Sequence, residues 1–148
     1  MATLPLPRKL RRALTDSSAY LALLDLADRN HDTAVELLRW LAEQRYRLYT
    51  TSAMLYEAHA LVLSELGTRR ANQFLQGVLA GNTVVVRIRA SDEERARSIL
   101  FRYTDKTFSY NDALSFAVME RLGIDLAFTF DRDFIEYGLT TLTLDLIR

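Results

Sequence analysis

Four acidic residues, Asp16, Glu57, Asp112 and Asp131, share one kind of position in this chain. Each sits where a strand hands over to a helix, or in the first turns after that junction. In open parallel sheets the carboxyl ends of the strands face one crevice, and ligands bind there. Carboxylates gathered in such a crevice repel one another unless cations neutralise them. An all-oxygen set without imidazole or thiolate suits a hard ion such as Mg²⁺ or Mn²⁺. Ions of that kind clamp phosphate esters and activate water.

Each acid also has an ordinary structural use. Ser109 and Asp112 have capping-box spacing, so Asp112 could simply serve a helix start. Asp16 could be a cap or turn residue, and Asp131, followed by Arg132 and Asp133, could sit in a solvated turn. Glu57 fits an ordinary use least well. It lies three residues after Met54 and four before Leu61, on or beside an apolar helix face where an unpaired carboxylate is costly. Only two histidines, His31 and His59, are present and far apart in sequence, which disfavours a zinc site built from imidazoles; both read as structural. Phe101, Tyr103, Phe108 and Tyr110 flank Arg102 and Lys106, a mixture that suits either core packing or stacking on RNA bases. No P-loop or nucleophile-elbow pattern is present.

The elements that must position these acids alternate between strand and helix. Residues 1–12, with Pro5, Pro7 and several arginines, read as an irregular basic lead-in, and residues 13–148 as a single domain. Arg12 to Thr15 reads as a strand, with Ser17 and Ser18 as caps of a helix to about Ala27. Asn30 introduces a helix over 31–45. Arg47 to Thr51 is a second strand, followed by a helix capped by Thr51 or Ser52 and closed by Gly67, and by another helix capped by Thr68. Thr83 to Arg89 has the clearest strand pattern, a buried Val run ending in Arg87 and Arg89. Ser91 and Glu94 have capping-box spacing for a helix to about Tyr103. Ala113 to Leu122 is apolar around most of its circumference and should be buried. A strand over Leu126 to Phe130, a short helix near 133–137 and a final strand over Thr140 to Leu144 complete the chain. Alternation of this kind predicts an α/β domain with a mainly parallel sheet covered on both faces.

Composition narrows the function classes. The 148 residues are long enough for one core, with 49% apolar and 26% charged residues. Lys+Arg and Asp+Glu are balanced at 19 each, so any nucleic-acid binding needs a local basic patch. There is no cysteine, which excludes disulfides, thiolate metal sites and cysteine nucleophiles, and suits a reducing cytoplasm. No uncharged apolar run reaches the length needed to span a bilayer, and no secretory signal is read.

Three stretches resemble PIN-domain proteins, specifically the VapC-type toxin ribonucleases of toxin–antitoxin pairs. They are D-S-S-A-Y-L-A-L-L-D from Asp16, T-S-A-M-L-Y-E-A-H-A-L from Thr51, and D-K-T-F-S-Y-N-D-A-L-S-F-A-V-M-E-R-L-G-I from Asp105 with the F-T-F-D-R-D-F that follows it. The likeness spans Ala13 to Gly138 and departs from the family in its short, basic first strand. It implies a three-layer α/β/α sandwich with about five strands and a Mg²⁺- or Mn²⁺-dependent endoribonuclease. Asp16, Asp112 and Asp131 would hold the metal, and Glu57 would ligate it or orient the attacking water. Ser17, Ser109, Asp105 and Asp133 would support them, with the fourth acid open to assignment as Asp131 or Asp133. Arg87, Arg89, Arg102 and Lys106 are candidate contacts to the RNA backbone. A homodimer and a cognate antitoxin, inserting an arginine among the acids, are the implied partners. Two other readings stand beside this one: a catalytically silent PIN module that binds RNA or a protein, and a phosphate-handling α/β enzyme with Asp16 as nucleophile.

Overall fold

The computed structural model describes residues 11–148, so most of the basic lead-in lies outside the described residues. The elements run β1 (Arg12–Thr15), α1 (Ser17–Leu24), α2 (His31–Glu43), β2 (Arg47–Thr51), α3 (Ser52–Leu66), α4 (Thr68–Ala80), β3 (Val84–Val86), α5 (Ala90–Arg102), α6 (Tyr110–Leu122), β4 (Leu126–Phe128), α7 (Asp133–Tyr137), β5 (Thr140–Thr141) and α8 (Leu144–Ile147). The five strands form one sheet in the order β3-β2-β1-β4-β5. Every pairing is parallel, with Leu14 opposite Tyr49 on one side and Ala127 on the other. No helix among the described residues is long and apolar enough to cross a membrane.

The period-two alternation of the central strands divides the core into two layers. Leu14 and Ala127 face a cluster built on Phe116, Met119, Ile99 and Met54. Ala13, Leu126 and Phe128 face the opposite way, onto Leu37, Leu41, Ala19 and Ala34. Thus α5, α6 and α7 cover one side of the sheet and α1, α2 and α8 the other. A third cluster, including Leu55, Val62, Ala71 and Phe74, joins α4 to α3. The all-round apolar character of Ala113 to Leu122 is explained by depth: Phe116, Val118 and Met119 are fully buried. The Phe116 ring lies 4.4 Å from Tyr137 in a stacked pair and meets Phe134 edge-on at 5.1 Å. Gly123 stops α6 with φ +70, a left-handed turn that glycine adopts without strain.

Several expected boundaries moved. Only Val84–Val86 of the 83–89 stretch pairs, and it is a half-buried edge strand. Beyond it the Ile88 N–H donates to Ser52 Oγ at 3.3 Å instead of to a strand. The box at the start of α5 uses Asp92, whose Oδ2 accepts from the Arg89 N–H at 2.9 Å, while Ser91 and Glu94 are exposed. Asp92 is there because it also meets Arg121, at 2.8 and 2.9 Å. Gly67, not Thr68, is the cap of α4. The final strand is two residues long, because Thr143 caps the unforeseen helix α8.

Candidate metal centre

Sheet order brings the acids together. The order reverses at β1, with β2 on one side and β4 on the other, and the crevice at such a switch point opens beyond the strand ends. Asp16 follows β1 directly, and its N–H donates to the Phe128 carbonyl at 3.0 Å, stitching the ends of β1 and β4 together. Asp131 lies three residues past β4, and Asp112 comes in from the first turn of α6.

Local hydrogen bonds orient each carboxylate through one oxygen. Asp16 is the cap of α1, in place of the expected Ser17 and Ser18. Its Oδ2 accepts from Ser18 Oγ at 2.6 Å, Thr129 Oγ1 at 2.8 Å and the Ser18 N–H at 3.3 Å. Asp112 Oδ2 accepts from the Ser109 N–H at 3.0 Å, while Ser109 Oγ accepts from the Asp112 N–H. The expected capping box therefore forms. Asp131 Oδ1 accepts from the Asp133 N–H at 2.9 Å, and the Asp131 N–H donates to Thr129 Oγ1. In each case the other carboxylate oxygen has no donor among the described residues.

Asp112, Asp131 and Asp133 each place an oxygen within 4.8 Å of the others. Asp133, expected as a supporting residue, is thus part of the cluster alongside Asp131. None of these three or Asp16 makes an ion pair among the described residues. Burial, offset in part by the Ser109 hydrogen bonds and reinforced by Asp133 and Asp131, pushes the Asp112 carboxyl up to about 7. Burial also raises Asp16 and Asp133, with Asp131 adding like-charge repulsion to both. These carboxylates, Asp112 buried and Asp131 and Asp133 half-buried, have no ion-pair partner among the described residues and fit a hard divalent cation.

Asp16 and Glu57, expected in the same cup, are not among the three acids whose oxygens lie within 4.8 Å of one another. Glu57 is exposed on α3, so the expected cost of burying it does not arise. Its Oε2 accepts from Ser17 Oγ at 2.8 Å, which ties it to the residue after Asp16. The helix buries Met54, Leu55, Ala58 and Val62, leaving Glu57 at the border of that stripe. Asp105 is largely exposed, with Lys106 at 4.0 Å. Arg87 and Arg89 are exposed after β3, Arg102 is the exposed end of α5, and Lys106 lies in the loop to α6. Of the four aromatics, Phe108 is buried and Tyr103 half-buried, whereas Phe101 and Tyr110 are exposed. His31 Nδ1 meets the Ala22 carbonyl and His59 Nε2 meets Asn72, both structural roles. Sequence reading passed over Thr129 and took Ser18 only as a helix cap; their hydroxyls organise Asp16. The signal for Thr129 was its place two residues before Asp131, the spacing at which a threonine hydroxyl bonds an N–H ahead of it.

The PIN-domain family profile matches residues 13–139. The chain is 34% identical over 123 residues to the 23S rRNA-specific endonuclease VapC20 of Mycobacterium tuberculosis, covering 83% of this chain and 92% of that protein. The crystal structure of that VapC20, described as a Sarcin-Ricin loop cleaving toxin, superposes with a TM-score of 0.82 at 30% identity, over 88% of this chain and 98% of the other. VapBC2 from Rickettsia felis, bound to a promoter DNA fragment, gives a TM-score of 0.66 at 14% identity, over 88% and 97%. FitAcB from Neisseria gonorrhoeae gives 0.64 at 15%, over 88% and 96%; these last two show a shared fold.

Proposed function

The chain belongs to the PIN-domain family, and from that premise we propose that it is a metal-dependent endoribonuclease, the toxin of a toxin–antitoxin pair. The observation that carries this reading is the cup of Asp112, Asp131 and Asp133 beside the buried Asp16, with no ion-pair partner for any of them among the described residues. The likeness to a 23S rRNA-specific endonuclease over most of both chains supports RNA as the substrate.

Asp112, Asp131 and Asp133 would hold a Mg²⁺ or Mn²⁺ ion through their free oxygens, with Asp16 Oδ1 alongside. Such an ion polarises a scissile phosphate, lowers the pKa of bound water and balances the charge that develops. The chain's own residues do the positioning. Thr129 donates to Asp16 and accepts from the Asp131 amide, so one hydroxyl sets the spacing between the acids that follow β1 and β4. Glu57, whose Oε2 accepts from Ser17 Oγ, would ligate the ion or orient the attacking water. Hydrolysis leaves a 5′-phosphate and a 3′-hydroxyl. Arg87, Arg89, Arg102 and Lys106 grip backbone phosphates.

An uncompensated acidic cup is also a natural seat for a guanidinium, so an antitoxin arginine would silence the site by supplying the missing charge. A homodimer acting in the cytoplasm completes the reading. The direct test is cleavage of structured RNA by the purified protein in Mn²⁺. Asp16→Asn and Asp112→Asn should each lower the rate by 10²-fold or more. If both substituted proteins cut like the parent, the assignment is wrong.

A further inference from the structure

A recess of about 470 Å³ opens directly beside the acidic cup, and Thr129 and Asp131 line both. Its remaining walls include Leu37, Phe130, Ile135, Leu142 and Leu144. Ile135 is 57% exposed although apolar, and it stands on α7, the single turn that carries Asp133 at its start. Arg132 lies at the rim, exposed and without an ion pair among the described residues. The other charges on this face are Asp145 and Arg148, the latter 3.9 Å from Glu36. The recess is thus an apolar slot with a cation beside it, sharing Asp131 with the acidic cup.

We propose that this recess receives the base of a nucleotide next to the scissile phosphate, and so sets which RNA is cut. The inference rests on the nuclease reading. An RNA strand with one phosphate in the cup must place its neighbouring bases within a few ångströms, and a base that leaves the stack gains by lying against apolar and aromatic side chains. Arg132 matches the adjoining phosphate. An acidic peptide is a poorer occupant, because Asp131 and Asp145 share the lining. A paired base in an A-form helix cannot reach such a slot, so the substrate class is RNA with an unpaired nucleotide at this position.

The experiment is equilibrium binding of a short single-stranded RNA in Ca²⁺, with one abasic nucleotide walked along it. For the parent protein one position should weaken binding about tenfold, the scale of one stacked base. Pairing that same position with a complementary strand should weaken it similarly. Ile135→Trp fills the slot from an exposed position and should erase the difference between intact and abasic RNA. Arg132→Gln should weaken all the oligonucleotides alike and lower the slope of log affinity against log salt by about 0.7. A flat abasic walk, or a position effect that survives Ile135→Trp, overturns the proposal. Cleavage in Mn²⁺ is scored separately. A parent that cuts RNA with a flat walk leaves the nuclease reading and removes the recess, and one that discriminates a base without cutting does the reverse. Failure to bind any of the RNAs removes the recess, and failure to cut structured RNA in Mn²⁺ removes the nuclease reading.

Discussion

Replacing Asp112 with asparagine should make the metal-free protein more stable while removing its activity. Asp112, Asp131 and Asp133 bring oxygens within 4.8 Å of one another. At an effective dielectric of about 20, two full charges at that distance repel by roughly 3–4 kcal/mol. The titration of Asp112 combines that repulsion with the cost of burying the charge. Its carboxyl is raised from an ordinary 3.8 to about 7, chiefly by burial and then by its acidic neighbours. A carboxyl whose pKa is higher when folded binds its proton more tightly in the native state. The metal-free protein therefore loses stability as pH climbs from about 3.8 to about 7, and does not recover it above that. About three pH units at roughly 1.4 kcal/mol each set a ceiling near 4 kcal/mol, which solvent screening lowers to about 2–4 kcal/mol.

Asparagine removes the charge and keeps an oxygen for the Ser109 N–H. In EDTA at pH 8 the Asp112→Asn protein should gain about 2–4 kcal/mol, a rise in melting temperature of roughly 5–15 °C for a chain of this size. At pH 4 the two proteins should melt close together, because the parent carboxyl is then protonated. Mn²⁺ should raise the melting temperature of the parent and leave that of the variant nearly unchanged. Thermal melts across pH, with and without metal, read all three effects. A variant that melts at or below the parent in EDTA at pH 8 would refute the self-repelling cup.

Thr129→Val strips a donor from buried Asp16 and orphans the Asp131 N–H, so urea unfolding should show a loss of about 2–3 kcal/mol and cleavage should fall with it; unchanged stability would mean that the hydroxyl does not hold the acids. Arg121→Met leaves Asp92, only 2% exposed, without its partner, and should cost about 3–5 kcal/mol at neutral pH. Burial raises the Asp92 carboxyl, but the Arg121 hydrogen bonds and the Arg89 amide outweigh that and hold it below its ordinary value. Its stabilisation is thus present above that ordinary value and fades as pH falls through the lowered one, so the gap between parent and Arg121→Met should narrow in acid melts. Phe116→Ala empties the ring cluster against Phe134 and Tyr137 and should cost about 3–5 kcal/mol by the same urea assay, while the metal-induced rise in melting temperature persists.

What could be read from the residues depended on how local the cause was. β1, β2 and the box at Ser109–Asp112 are set by neighbours within a turn or two, and they appear where expected. The Val84–Val86 run misled because its length depends on a partner. At the sheet edge only β2 is available, and Ser52 Oγ takes the Ile88 N–H that a longer ladder would have used. The start of α5 was misplaced because Asp92 answers to Arg121, 29 residues away. Helical spacing set Glu57 on or beside the apolar face, and it lies at the border, because spacing gives direction around an axis and says nothing of where the neighbouring layer stops. At that border the carboxylate reaches solvent and Ser17 together. Sheet order, which decides that the ends of β1 and β4 are neighbours, leaves no local trace at all.

The same residues show why a cap and a metal ligand are not rival descriptions. A carboxylate has two oxygens. Asp16 spends Oδ2 on α1 and Thr129, and Asp112 spends Oδ2 on the Ser109 amide. Those bonds are what a helix start demands of any aspartate, and they also fix the rotation of the group and therefore the direction of Oδ1. Weighing capping against chemistry for each acid set two compatible uses against each other. The quantity that separates a plain cap from a site is the charge balance around the second oxygen. Asp92, a buried aspartate at a helix start, is matched by Arg121 and has its carboxyl lowered, whereas Asp16 and Asp112 have no ion-pair partner among the described residues and are raised. Among the described residues the fold has balanced one of these helix starts internally and left the others without a matching cation.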